Sequence, residues 1–198
     1  MGRFILVLFV MFVMASTANA SIIININQVG NDVVAKGSGS VASDAGLNFL
    51  FNFDVAAQML PNQSYLLIGT KTQVSTAAWG GLTVDATPFG ASTGQDVPDL
   101  GTGDVVYGLI NKDRGWLMLP ASYQWGSDLP IATTTWSNRS LADLGLVVGT
   151  HTWTWNAGAQ SITLNVNDSA AVPEPSTYAL LTMGFGGMMF FRRKKARA

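Results

Sequence analysis

Apolar and polar residues alternate at a spacing of two through much of this chain. In residues 47–55, LNFLFNFDV, the apolar Leu47, Phe49, Phe51, Phe53 and Val55 are separated by Asn48, Asn52 and Asp54, and Leu50 alone breaks the pattern. Successive side chains of a strand point to opposite faces, so this spacing predicts a half-buried strand with the five apolar residues on one face. SIIININ repeats the pattern with Ile22, Ile24 and Ile26. GTHTWTWN sets His151, Trp153 and Trp155 against Thr150, Thr152 and Thr154, and SITLNVN turns Ile162, Leu164 and Val166 inward. Gly158 in the short link between these last two predicts a hairpin. Weaker runs at 65–69, 81–85, 104–110, 115–119 and 131–136 read as further strands, and the only helix-like piece is 140–146. KGSGS, LPNQS, PFGASTGQDVPDLGTGD, NKDRG and GSDLP lie between the runs. Their Gly, Pro, Asn and Asp residues suit turns. Eight or nine short strands, apolar on one side, predict an all-β body over residues 21–170, an antiparallel two-sheet β-sandwich of jelly-roll-like form.

Charge divides the chain more sharply than its formal net of −1 suggests. Between residues 21 and 171 there are eleven aspartates, no glutamate and only five basic residues, Lys36, Lys71, Lys112, Arg114 and Arg139, a net of −6. Such a body lacks the basic footprint that nucleic-acid binding requires. The absence of cysteine excludes disulfides, thiolate metal sites and a cysteine nucleophile. Stability must come from the core, and about 150 residues suffice for one.

The two ends read differently from the body. Residues 1–20 combine Arg3, an apolar run over 4–15 and the small residues Ala18-Asn19-Ala20. This is the pattern of a secretory signal peptide, cleaved by signal peptidase between Ala20 and Ser21. At the other end, VPEPST is followed by an uncharged apolar run, 178–191, and by Arg192, Arg193, Lys194, Lys195 and Arg197 in the basic end 192–197. As a helix the run would be roughly 21 Å long, short of a hydrocarbon core of about 30 Å unless flanking residues snorkel. The basic cluster is a cytoplasmic-side stop, which places the body outside. Motif, apolar run and basic cluster together resemble the PEP-CTERM sorting tail of Gram-negative envelope proteins, over residues 171–198. The resemblance implies a transmembrane sorting helix, transient inner-membrane anchoring and recognition by an exosortase. It further implies cutting near Pro173, Glu174 and Pro175, release or attachment at the cell envelope, surface or extracellular matrix, and a link to biofilm and exopolysaccharide.

Candidate chemistry in the body is sparse. His151 is the sole histidine and lies in an aromatic strand with no G-x-S-x-G elbow, so it reads as a packed strand residue rather than a triad base. Asp96, Asp99 and Asp104 share one Gly/Pro-rich loop, and carboxylate oxygens suit calcium. No EF-hand or RTX pattern accompanies them, and they read as solvated turn residues. Six tryptophans offer another possibility, because aromatic faces stack on sugar rings. Trp153 and Trp155 read as core, whereas Trp116 and Trp125 flank turn-rich sequence and are the candidates for glycan stacking. The expectation is a non-enzymatic surface or matrix protein without cofactor or metal. A polysaccharide-binding, lectin-like module is the alternative, and a hydrolase built on aspartates the remote one.

Overall fold

The computed structural model describes residues 21–83 and 87–168. The leader (1–20), the sorting segment (171–198) and its expected helix (178–191) lie outside the described residues. Among those that are described, no helix is long and apolar enough to cross a membrane.

Among the described residues twelve strands form two six-stranded sheets. They are β1 (Ser21–Val29), β2 (Asp32–Ser40), β3 (Asn48–Val55), β4 (Gln58–Leu60), β5 (Tyr65–Gly69), β6 (Val74–Gly80), β7 (Leu100–Thr102), β8 (Val106–Ile110), β9 (Trp116–Pro120), β10 (Asp128–Trp136), β11 (Gly149–Trp155) and β12 (Gln160–Asn167). One sheet runs β11-β12-β1-β2-β10-β7 and the other β3-β6-β9-β8-β5-β4. The expected body is therefore all-β and two-layered, with more strands than the alternation disclosed.

The first sheet is mixed, which corrects the expectation of a purely antiparallel sandwich. β1 and β12 are parallel, in register from Ser21↔Ser161 to Asn27↔Asn167. Alternation shows which face of a strand is buried and carries no information about its neighbour's direction. The inward sets are the expected ones: Ile22, Ile24 and Ile26 of β1, Ile162, Leu164 and Val166 of β12, and Trp153 and Trp155 of β11 are all buried. They meet Met59, Leu66, Ile68, Tyr107, Leu109, Leu117 and Leu119 of the second sheet in one core. On the solvent side of the first sheet, amides bridge the parallel pair: Asn165 Nδ2 donates to Asn25 Oδ1 at 3.0 Å and Asn167 Nδ2 to Asn27 Oδ1 at 3.2 Å.

KGSGS, expected as a turn, lies inside β2. Its glycines answer to packing. A Cβ on Gly37 would stand 2.3 Å from Ile68 Cδ1 and 2.8 Å from the Tyr107 hydroxyl, so the opposite sheet could not approach. Residues 81–83 of run 81–85 lie past the end of a strand that spans 74–80, and residues 84 and 85 lie outside the described residues. The helix-like piece at 140–146 is a single capped turn. Ser140 N donates to Asp143 Oδ2 and Asp143 N to Ser140 Oγ, a reciprocal box. Leu146 N to Leu141 O and Gly145 N to Ala142 O then close it, with Gly145 at φ +64°.

Candidate functional site

The second sheet has an apolar outer face as well as an inner one. Val55, Leu67, Ala78, Val106 and Met118 form a second buried cluster there, flanked by half-buried Phe53, Tyr65, Val74, Ile110 and Trp116. A β-bulge shapes this face. Phe49 pairs with Trp79 and Phe51 with the adjacent Ala78, so Leu50 is an extra residue in β3. Because Trp79 and Ala78 point to opposite faces, Phe49 and Phe51 do too. This overturns the expectation that Phe49, Phe51, Phe53 and Val55 share one buried face. Phe51, opposite Ala78 of β6, is 42 % exposed and meets Trp116 edge-on, with ring centroids 5.4 Å apart. Phe53 lies beside Phe51 at 5.5 Å.

These rings form one wall of a groove of about 520 Å³. The other wall comes from β4 and β5, where three side chains are linked in series. Gln95 Nε2 donates to Gln58 Oε1, and Gln58 Nε2 donates to the Tyr65 hydroxyl oxygen. Tyr65 thus accepts from Gln58 and keeps its own O–H to donate elsewhere. Burial pushes the Tyr65 phenol above its ordinary value, partly offset by Gln58, so it is a neutral donor at neutral pH. Lys112, Asp113 and Arg114 stand at one end of the groove on the β8–β9 turn. That turn is fixed from below: Arg114 N and Gly115 N donate to Asn111 O, Asn111 N to Ser64 O and Lys112 N to Gln63 O. The Arg114 guanidinium lies 4.5 Å from the centre of the Trp116 ring, a cation–π contact.

Of the residues singled out beforehand, Trp116 is half-buried in this groove, beneath Arg114. Trp125 is elsewhere, half-buried against the main core between Trp79 and Tyr123, at 4.9 and 5.7 Å. Two of the three loop aspartates are engaged separately, and Asp104 is exposed. Asp96 joins the sheet through paired backbone bonds with Met59, and the Asp99 carboxylate accepts from Ser137 N at 2.7 Å. Among the described residues no group of three or more His, Cys, Asp or Glu side chains is placed to hold a metal ion. His151 stacks on Trp153 at 6.1 Å and meets Phe89 edge-on. Ser21 opens β1 directly. Ala18, Ala20, Pro173, Glu174, Pro175, Arg192, Arg193, Lys194 and Lys195 lie outside the described residues. The groove itself was not anticipated, yet two signals pointed to it: the misfit at Leu50, and NKDRG, whose two cations were read only as part of a turn.

The described body is an all-β sandwich, and the segment that follows it carries a sorting signal, which implies a protein exported to the cell surface. In particular, residues 171–195 match the family model of the PEP-CTERM protein-sorting motif, and the chain carries that motif. The motif implies an exosortase as processing partner. No curated protein and no solved structure matches the chain significantly.

Proposed function

We propose that this is a non-enzymatic protein of the cell surface or extracellular matrix, associated with exopolysaccharide and biofilm. Signal peptidase removes the leader after Ala20. The apolar run 178–191 then holds the protein briefly in the inner membrane, with the basic residues 192–197 on the cytoplasmic side, until the exosortase acts at Pro173, Glu174 and Pro175. The sorting motif at 171–195 is the observation that supports this reading. Deletion of residues 173–198 is expected to abolish envelope retention and processing, measured by cell fractionation and by the mass of the recovered protein. Unchanged fractionation and mass would refute the route.

A second reading is favoured by the groove: the body acts as a polysaccharide-binding module. Rings at Phe51, Phe53, Tyr65 and Trp116 offer apolar faces, and the Gln58–Gln95 pair and the Tyr65 hydroxyl offer hydrogen-bonding groups beside them. Apolar walls with a few placed polar groups are the usual composition of a small-molecule or sugar site. Trp125 stands apart from this arrangement, in contact with the core. A hydrolase built on Asp96, Asp99 and Asp104 is not favoured, because Asp96 and Asp99 are engaged separately.

A further inference from the structure

We infer that the groove on the outer face of the second sheet takes an anionic polysaccharide, with Lys112 and Arg114 receiving its carboxylates. The inference rests on the glycan reading above and adds the chemical class of the ligand.

The charge distribution is what points to an anion. Two of the body's five basic residues stand two positions apart on one short turn, in a body of net charge −6. Neither Lys112 nor Arg114 has an ion-pair partner among the described residues, although eleven aspartates were available in sequence. Among the described residues Asp113 is the only acidic one lining the groove, against the two cations Lys112 and Arg114 at this end. Arg114 is also held in place. Its guanidinium lies over the Trp116 ring and its backbone is tied to Asn111, which reduces the rotamer entropy lost when a ligand is bound. A planar guanidinium matches a carboxylate with two parallel hydrogen bonds, and Lys112 adds a mobile point charge beside it.

The remaining wall suits the rest of a sugar unit. Phe51 presents open ring surface, and Tyr65 and Gln95 supply polar atoms for hydroxyls. Trp116 acts here mainly by orienting Arg114, with Phe51 as the stacking ring. The surrounding aspartates repel an anion at longer range, so the attraction is confined to the groove and weakens with salt.

The test uses the purified full-length chain in detergent. Binding to polygalacturonate is measured by calorimetry in low and high salt, beside the same polymer after reduction of its carboxyls to alcohols. Binding of the anionic polymer is expected to be at least tenfold tighter than that of its reduced form, and to weaken severalfold on adding salt. Lys112→Ala/Arg114→Ala is expected to lose at least tenfold for the anionic polymer while leaving the reduced one and the melting temperature unchanged. Phe51→Ala is expected to weaken both polymers. Equal affinity for the two polymers would overturn the anionic inference and leave the glycan reading standing. Anionic binding that survives loss of both cations would place the ligand elsewhere and overturn the proposal. Failure to bind either polymer would overturn both.

Discussion

One carboxylate oxygen of Asp96, Oδ2, is buried without a hydrogen-bond partner, on the loop that supplies Gln95 to the groove. Burial lifts its carboxyl above the ordinary range, against the pull of the Arg139 charge. A group whose folded-state pKa is raised contributes stability that is complete below its unfolded value and is lost as pH rises through the folded one. At neutral pH the ionised Asp96 is therefore a cost. Asp96→Asn is expected to raise the melting temperature at pH 7, with the gain fading as pH falls below the ordinary carboxyl range. A melting temperature lowered at pH 7 would show that the carboxylate is needed where it stands. At this scale the sequence was legible for residues whose role is packing. Ile24, Trp153 and Leu164 are buried as their alternation requires. Residue pairs brought together from distant strands, such as Phe51 of β3 at the edge of Trp116 of β9, were not legible, because no local spacing encodes which strands become neighbours.

Element type was written in period two, while element boundaries and bulges were not. The single misfit at Leu50 was the visible trace of the bulge in β3, but a misfit does not say on which side the chain resumes its alternation. Removing Leu50 makes this a direct experiment. Without it Phe49 and Phe51 become consecutive, so a regular β3 keeps them on opposite faces, still opposite Trp79 and Ala78. The edge-on contact of Phe49 with Trp79, 5.3 Å between centroids, is then expected to survive with tryptophan emission little changed. The deletion is expected to cost about 1–3 kcal/mol through the lost packing of Leu50 beside Gly80. A shifted emission spectrum would mean instead that the register against β6 depends on the bulge. KGSGS teaches the complementary lesson. Glycine was read as a sign of turns, whereas Gly37 makes room for the facing sheet and Gly39, at φ +134°, passes within contact of the Ser21 carbonyl.

In the molecule as a whole, β1 is an interior strand paired on one side with β2 and on the other with β12, so the first sheet is complete only when residues 160–167 are in place. The processing motif at 173–175 follows the last strand. A chain ended after Asp168 is expected to keep a single cooperative unfolding transition near that of the longer protein. A chain ended after Ala159 is expected to lose it, because β11 loses its sheet neighbour and β1 one of its two. Circular dichroism melts distinguish the two, and a folded shorter chain would contradict the role given to β12. Two-layer architecture was legible from alternating faces, whereas the parallel pairing of the first and last strands joins segments about 140 residues apart and leaves no mark on either one.

That pairing also decides how the body carries force. Because β1 and β12 run side by side in the same direction, the start of one and the end of the other emerge at opposite poles of the sheet. Tension between Ser21 and Asn167 slides the two strands past one another and loads all seven registered positions together. The hairpin of β11 and β12, pulled from its open ends, would yield one bond pair at a time. Force applied at the two ends of the sandwich would thus meet its strongest geometry, set by the pairing of its first and last strands.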